Sequence, residues 1–100
     1  MKLHELLYKV KTISLVGSTN IEIANIHFDS RQIKTGDLFV AIRGKLFDGH
    51  QYINNAIRDG VKAVIVEQMP NILDDNVSYI QVDNSQNALA IVASNFYSNP

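Results

Sequence analysis

The chain has no cysteine among its 100 residues, which excludes disulfides, thiolate nucleophiles and cysteine-based zinc sites and mildly favours the cytoplasm. It also lacks a charge excess of either sign: nine Lys and Arg stand against ten Asp and Glu, for a formal charge of -1. Sequence-independent contact with a phosphate backbone needs a basic excess, so nucleic acid is not an expected partner. No apolar run approaches the roughly 18 residues that span a bilayer. The opening Met1-Lys2-Leu3-His4-Glu5-Leu6-Leu7 interrupts with polar residues any stretch that could serve as a signal-peptide core. A soluble protein with no membrane partner is therefore expected. Three histidines, His4, His27 and His50, are widely separated and carry no ligand spacing, so no metal site is expected. No serine-histidine-acid signature or other catalytic set can be named, and there is no internal repeat or low-complexity segment.

What is present is 46% hydrophobic content, enough for one core in a chain of single-domain size. Leu3, Leu6, Leu7 and Val10 recur at helical spacing and predict a short opening helix. Ile13, Leu15 and Val16 lead into Gly17-Ser18-Thr19-Asn20, turn formers that could join two strands in a hairpin. Ile21 and Ile23 alternate, but Ile26 and Phe28 continue out of phase. A bulge or break near Ala24-Asn25 would resolve the conflict. Leu38 to Ile42 and Val61 to Val66 read as buried strands. Between them Tyr52, Ile53, Ala56 and Ile57 supply a helical apolar face that Gly60 can end in a left-handed cap. Strand, helix and strand in this order predict a parallel β-α-β crossover. Tyr79, Ile80 and Val82 suggest a further strand. Asp83-Asn84-Ser85 can cap a closing helix carrying Ala88, Leu89, Val92 and Phe96, with a stop at Ser98-Asn99-Pro100. The fold class is α/β: a compact mixed sheet flanked by helices.

Two loops could carry chemistry. Asp29-Ser30-Arg31 follows a predicted strand. Asp29 and Arg31 suit capping and pairing, while Ser30 is the better candidate for touching a ligand. Gly44-Lys45-Leu46-Phe47-Asp48-Gly49-His50 combines glycines, a cation and an aromatic ring beyond the carboxyl end of the Leu38 to Ile42 strand, where ligands commonly bind in such sheets. The chemistry alone leaves both loops open between a structural and a binding role. The second is not a Walker phosphate loop, because no glycine precedes Gly44-Lys45 at the required spacing and Leu46 stands where Ser or Thr is needed.

Phe28-Asp29-Ser30-Arg31, then Gly36-Asp37-Leu38-Phe39-Val40-Ala41-Ile42-Arg43-Gly44, then Asp48-Gly49-His50 form an ordered set that resembles the first domain of the Mur ligases. Gly60 to Glu67 and Phe96-Tyr97-Ser98-Asn99-Pro100 extend the resemblance across nearly the whole chain, and it is nearest to the MurE type. The resemblance implies that residues 1–100 are an amino-terminal domain holding the uridine diphosphate end of UDP-N-acetylmuramoyl-L-alanyl-D-glutamate. It implies a parent ligase of cytoplasmic peptidoglycan synthesis that uses ATP and magnesium to add diaminopimelate or lysine. The expected partners are that substrate and the ATP-binding domain of the same protein, whose Gly-Thr-Asn-Gly-Lys-Thr phosphate loop is expected beyond Pro100. No cofactor and no turnover are expected of these residues alone. Carried over residue by residue, the binding positions are Phe28, Ser30, Lys45, Leu46 and Phe47, with Asp29, Arg31, Asp48, Gly49 and His50 supporting the loops. Phe47-Asp48-Gly49-His50 also suits the MurF type, which adds D-alanyl-D-alanine. A stand-alone nucleotide-sugar-binding module is the alternative from a different class.

Overall fold

A computed structural model describes residues 1–97, so the expected helix stop at Ser98-Asn99-Pro100 lies outside the described residues. Strands β1 (Ser14–Val16), β2 (Ile26–His27), β3 (Leu38–Val40), β4 (Ala63–Val66) and β5 (Ser78–Gln81) form one sheet in the order β1-β5-β4-β3-β2. β2 through β5 run parallel, while β1 lies antiparallel to β5 at the edge. Helices α1 (Leu3–Leu6), α2 (Ile53–Arg58) and α3 (Ser85–Tyr97) complete the architecture.

Side-chain alternation along the strands divides the core into two layers. Leu38, Val40, Ala63, Ile65 and Ile80 face Leu3 and Leu6 of α1 and Ala88 and Val92 of α3. Phe39, Val64, Val66 and Tyr79 point the other way, onto Ile53 and Ala56 of α2. All four residues of β4 are buried, which explains its unbroken apolar sequence: a central parallel strand has no wet face.

The crossover is present as expected, with β3 and β4 adjacent and parallel in the register Leu38↔Ala63 and Val40↔Ile65. Its helix begins with a 3-10 turn at Gly49–Tyr52 and continues as α2. Gly60 ends it at φ +100° with its amide donating to the Ile57 carbonyl at 3.1 Å, the left-handed stop read from the sequence. Asn84 caps α3, its Oδ1 accepting from the Asn87 amide at 3.0 Å.

Two expectations need correction. The chain does turn at Gly17-Ser18-Thr19-Asn20, but β1 does not form a hairpin with the segment that follows. It pairs instead with β5, Leu15 opposite Ile80. The segment from Ile21 to Ile23 lies along the N-terminus, with the Leu3 amide donating to the Ile21 carbonyl and the Ile23 amide to the Met1 carbonyl, each at 2.9 Å. Turn residues specify a reversal; which strand the reversed chain meets is set by burial elsewhere. The opening helix is also shorter than its apolar spacing suggested, ending after Leu6 with Lys9 at φ 68°, and Leu7 and Val10 pack on the core from outside it.

The phase break near Ala24-Asn25 is real. Ile23 is buried beside the N-terminal segment, and the Leu38 amide donating to the Asn25 carbonyl at 2.9 Å starts a separate strand in which Ile26 is buried. Phe28, the other out-of-phase residue, lies beyond the end of that strand and is exposed.

Candidate functional site

Because β2 and β3 are parallel neighbours, their carboxyl ends release two loops side by side. Between these loops lies a groove of about 540 Å³, lined from the first by Phe28, Ser30 and Arg31 and from the second by Gly44 and Phe47, with Tyr52 at the start of the crossover helix. Phe28 and Phe47 are 58% and 54% exposed. Large aromatic rings left wet on both sides of one groove make an apolar surface suited to a planar ligand.

The first loop is held by its own side chains. Asp29 Oδ1 accepts from the Arg31 amide at 3.0 Å, starting the 3-10 turn at Ser30–Gln32. The Arg31 guanidinium then grips the same carboxylate twice, Nε to Oδ1 at 3.0 Å and Nη2 to Oδ2 at 2.8 Å. The guanidinium, aided by the Arg31 amide, pulls the Asp29 carboxyl down to about 2. Asp29 and Arg31 thus do the capping and pairing expected of them, leaving Ser30, only 8% exposed, at the groove wall.

The second loop is a narrow excursion closed by two backbone bonds: the Gly44 amide donates to the Phe47 carbonyl at 2.8 Å, and the Gly49 amide to the Ile42 carbonyl at 2.7 Å. Lys45 and Leu46 sit at its tip. Both are exposed, Leu46 completely, and neither lines the groove as the loops stand. Of the residues read as binding positions, the fold therefore gathers Phe28, Ser30 and Phe47 and leaves Lys45 and Leu46 at the rim. A Cβ on Gly49 would lie 2.8 Å from the Ile42 nitrogen and 3.1 Å from the Ala41 Cα, so only glycine fits where this loop returns against the chain leaving β3.

Asp48 and His50 fasten that return. Asp48 Oδ1 accepts from the His50 amide at 3.0 Å and lies 2.7 Å from His50 Nδ1, while Arg43 Nε stands 3.6 Å from Oδ2. The His50 amide is the largest influence on Asp48 and, with the neighbouring ring and Arg43, holds its carboxyl below the ordinary value despite the opposing effect of burial. His50 Nε2 accepts from the Glu67 amide at 2.9 Å, just past β4.

Tyr52 is the groove residue that sequence reasoning missed. Its helical spacing assigned it to the core face of α2, and it does pack on that core. Yet its ring also stacks on Phe47, with centroids 5.1 Å apart and planes at 11°. The only sequence signal was an aromatic residue five positions after Phe47, at the start of a helix.

Lys45 lies in an exposed turn, and the residues around it lack the Walker spacing. No group of three or more His, Asp or Glu among the described residues is placed to hold a metal ion, and none of their helices is long and apolar enough to cross a membrane.

Residues 22–97 match the Mur ligase family, catalytic domain. The chain belongs to that family. Curated relatives include the UDP-N-acetylmuramoyl-L-alanyl-D-glutamate--2,6-diaminopimelate ligases of Bacteroides fragilis, 41% identical over 100 residues, and Cytophaga hutchinsonii, 42% identical over 101. The match covers 100% of this chain and 21% of each relative, so the chain spans about a fifth of their length. Among solved structures, a MurF from Acinetobacter baumannii superposes with a TM-score of 0.79 at 23% identity, over 94% of this chain and 20% of that one, a likeness of fold. A MurF ligase from Thermotoga maritima in complex with ADP gives a TM-score of 0.63 at 35% identity, over 75% of this chain and 17% of that one.

Proposed function

We propose that this chain is the amino-terminal domain of a MurE-type ligase and holds the uridine diphosphate end of UDP-N-acetylmuramoyl-L-alanyl-D-glutamate. The parent enzyme would use ATP and magnesium, bound outside these residues, to join diaminopimelate to the substrate's glutamate during cytoplasmic peptidoglycan synthesis. The observation that carries the reading is the groove itself. Two loops read from the sequence as candidates converge on one cavity, with Phe28 and Ser30 on one side and Phe47 on the other.

The chemistry suits the ligand. Uracil is flat and can lie against the exposed rings of Phe28 and Phe47, while the Ser30 hydroxyl can donate to a ribose or phosphate oxygen. Backbone amides of the Lys45 to Phe47 tip can close over the base edge or the diphosphate when a ligand brings the tip inward. Nothing in the groove activates a carboxylate, so this domain positions the substrate and the reacting glutamate lies elsewhere. Identity of 41% to a ligase named for diaminopimelate supports that amino acid over lysine.

The MurF type remains the second reading, favoured by the 35% identity to the Thermotoga maritima structure. Expressing the complete reading frame that contains this chain separates the two. With ATP and magnesium, UDP-N-acetylmuramoyl-L-alanyl-D-glutamate and diaminopimelate should yield the tripeptide product, ADP and inorganic phosphate. Product only from the UDP-tripeptide with D-alanyl-D-alanine would establish the MurF reading instead. A reading frame without a Gly-Thr-Asn-Gly-Lys-Thr segment after Pro100, and no ligation with either pair, would leave a stand-alone binding module.

A further inference from the structure

Tyr52 occupies an unusual position in the groove. It opens the crossover helix next to Ile53, which is buried, so its backbone is anchored to the core. Its ring lies against Phe47, whose own backbone sits in the excursion just after the fully exposed Leu46. It lines the same groove as Phe28, Ser30 and Arg31 of the first loop. One side chain fixed to the core thus stacks on the second loop and shares the groove with the first.

We propose that Tyr52 is a positioning residue for base recognition: it backs one face of the Phe47 ring and presents the other face, already oriented, to a pyrimidine. This rests on the reading of the groove as a uridine diphosphate site. The physical reason is entropy. An exposed phenylalanine on a narrow loop samples several rotamers, and each rotamer frozen on binding opposes association. A parallel partner at 5.1 Å removes that freedom in advance. The stack also covers one face of Phe47, leaving a single face for a base and thereby fixing which side of the ring it takes.

The test is an NMR titration of the 100-residue chain with UDP to millimolar concentration, comparing wild type with Tyr52→Phe, Tyr52→Leu, Phe47→Leu and the double variant Phe47→Leu/Tyr52→Leu. Tyr52→Phe keeps the stack and should bind within about twofold of wild type, whereas Tyr52→Leu should weaken UDP roughly three- to tenfold, the scale of an aromatic pair. Because Tyr52 acts through Phe47, the double variant should bind no worse than Phe47→Leu alone. Independent, multiplying losses would overturn the positioning role. In wild type, which needs no variant to fold, uracil H5 and H6 should give cross-relaxation to the Phe47 ring and not to Tyr52. Contact with Tyr52 in place of Phe47 would also overturn it. If Ser30→Ala and Phe47→Leu weaken UDP while Tyr52→Leu does not, the site reading stands and the proposal fails. If UDP shifts none of these residues, both fail.

Discussion

His50 Nε2 lies 2.9 Å from the Glu67 amide nitrogen and accepts its hydrogen, which places the ring proton on Nδ1, aimed at Asp48 Oδ1 2.7 Å away. One imidazole in one tautomer thereby ties the end of the second groove loop to the end of β4. Glu67 extends the connection, its Oε2 accepting from the Ser85 amide at 2.9 Å and the Ser85 hydroxyl at 2.8 Å, at the first turn of α3.

Replacing His50 with Ala should lower stability by about 1–3 kcal/mol, because the Glu67 amide loses its partner in a partly buried setting. Urea unfolding measures this. The Asp48-to-His50 amides should also lose protection from hydrogen exchange, while β3 and β4 keep theirs. An unchanged unfolding midpoint would mean that the link carries no weight.

Gly49→Ala should destabilise the chain by about 1–3 kcal/mol, the range for forcing extra atoms into a packed site. Its Cβ would meet backbone atoms of Ile42 and Ala41, just past β3, at 2.8 and 3.1 Å, and these cannot rotate away. A thermal melt reads the loss, and amide shifts localised to residues 42–50 would show where the strain goes.

Ser30→Ala should weaken UDP binding about two- to tenfold, the scale of one neutral hydrogen bond, with the domain still folded. Leu46→Ser should leave both binding and folding unchanged, since its side chain is fully exposed and lines no wall of the groove. A large loss from Leu46→Ser would move the ligand from the groove to the rim.

Glu67 supplies a test by pH. Burial opposes its charge, but the Ser85 amide and hydroxyl, aided by Arg43 and His50, hold its carboxyl below the ordinary value. A carboxyl lowered in the folded state stabilises the fold above its unfolded pKa, and that contribution disappears as the pH falls through the folded one. The stability difference between wild type and Glu67→Gln should therefore be largest near neutral pH and shrink below about pH 4. Thermal melts from pH 7 to pH 3 measure it, and a gap that widens toward acid would contradict the sign.

The ordered motifs sufficed to nominate both loops, and the apolar runs sufficed for β3, β4 and the crossover between them. Leu38 to Ile42 and Val61 to Val66 are legible because a buried parallel strand admits almost no polar residue. Gly60 was legible because a helix stop is a local backbone requirement. The division of labour in Asp29-Ser30-Arg31 was legible for the same reason: the carboxylate, amide and guanidinium that meet are two residues apart.

Partners distant along the chain were not legible. β1 chose β5 across more than sixty residues, the His50 ring met Glu67 seventeen positions on, and Tyr52 faced Phe47 while also serving the core of α2. A sequence determines periodicity, turns and caps because their energies come from neighbours within a turn or two. Which edges pair, which loops share a groove and which face a ring presents depend on how the layers pack. Those contacts exist only once the parallel sheet has brought its carboxyl ends together.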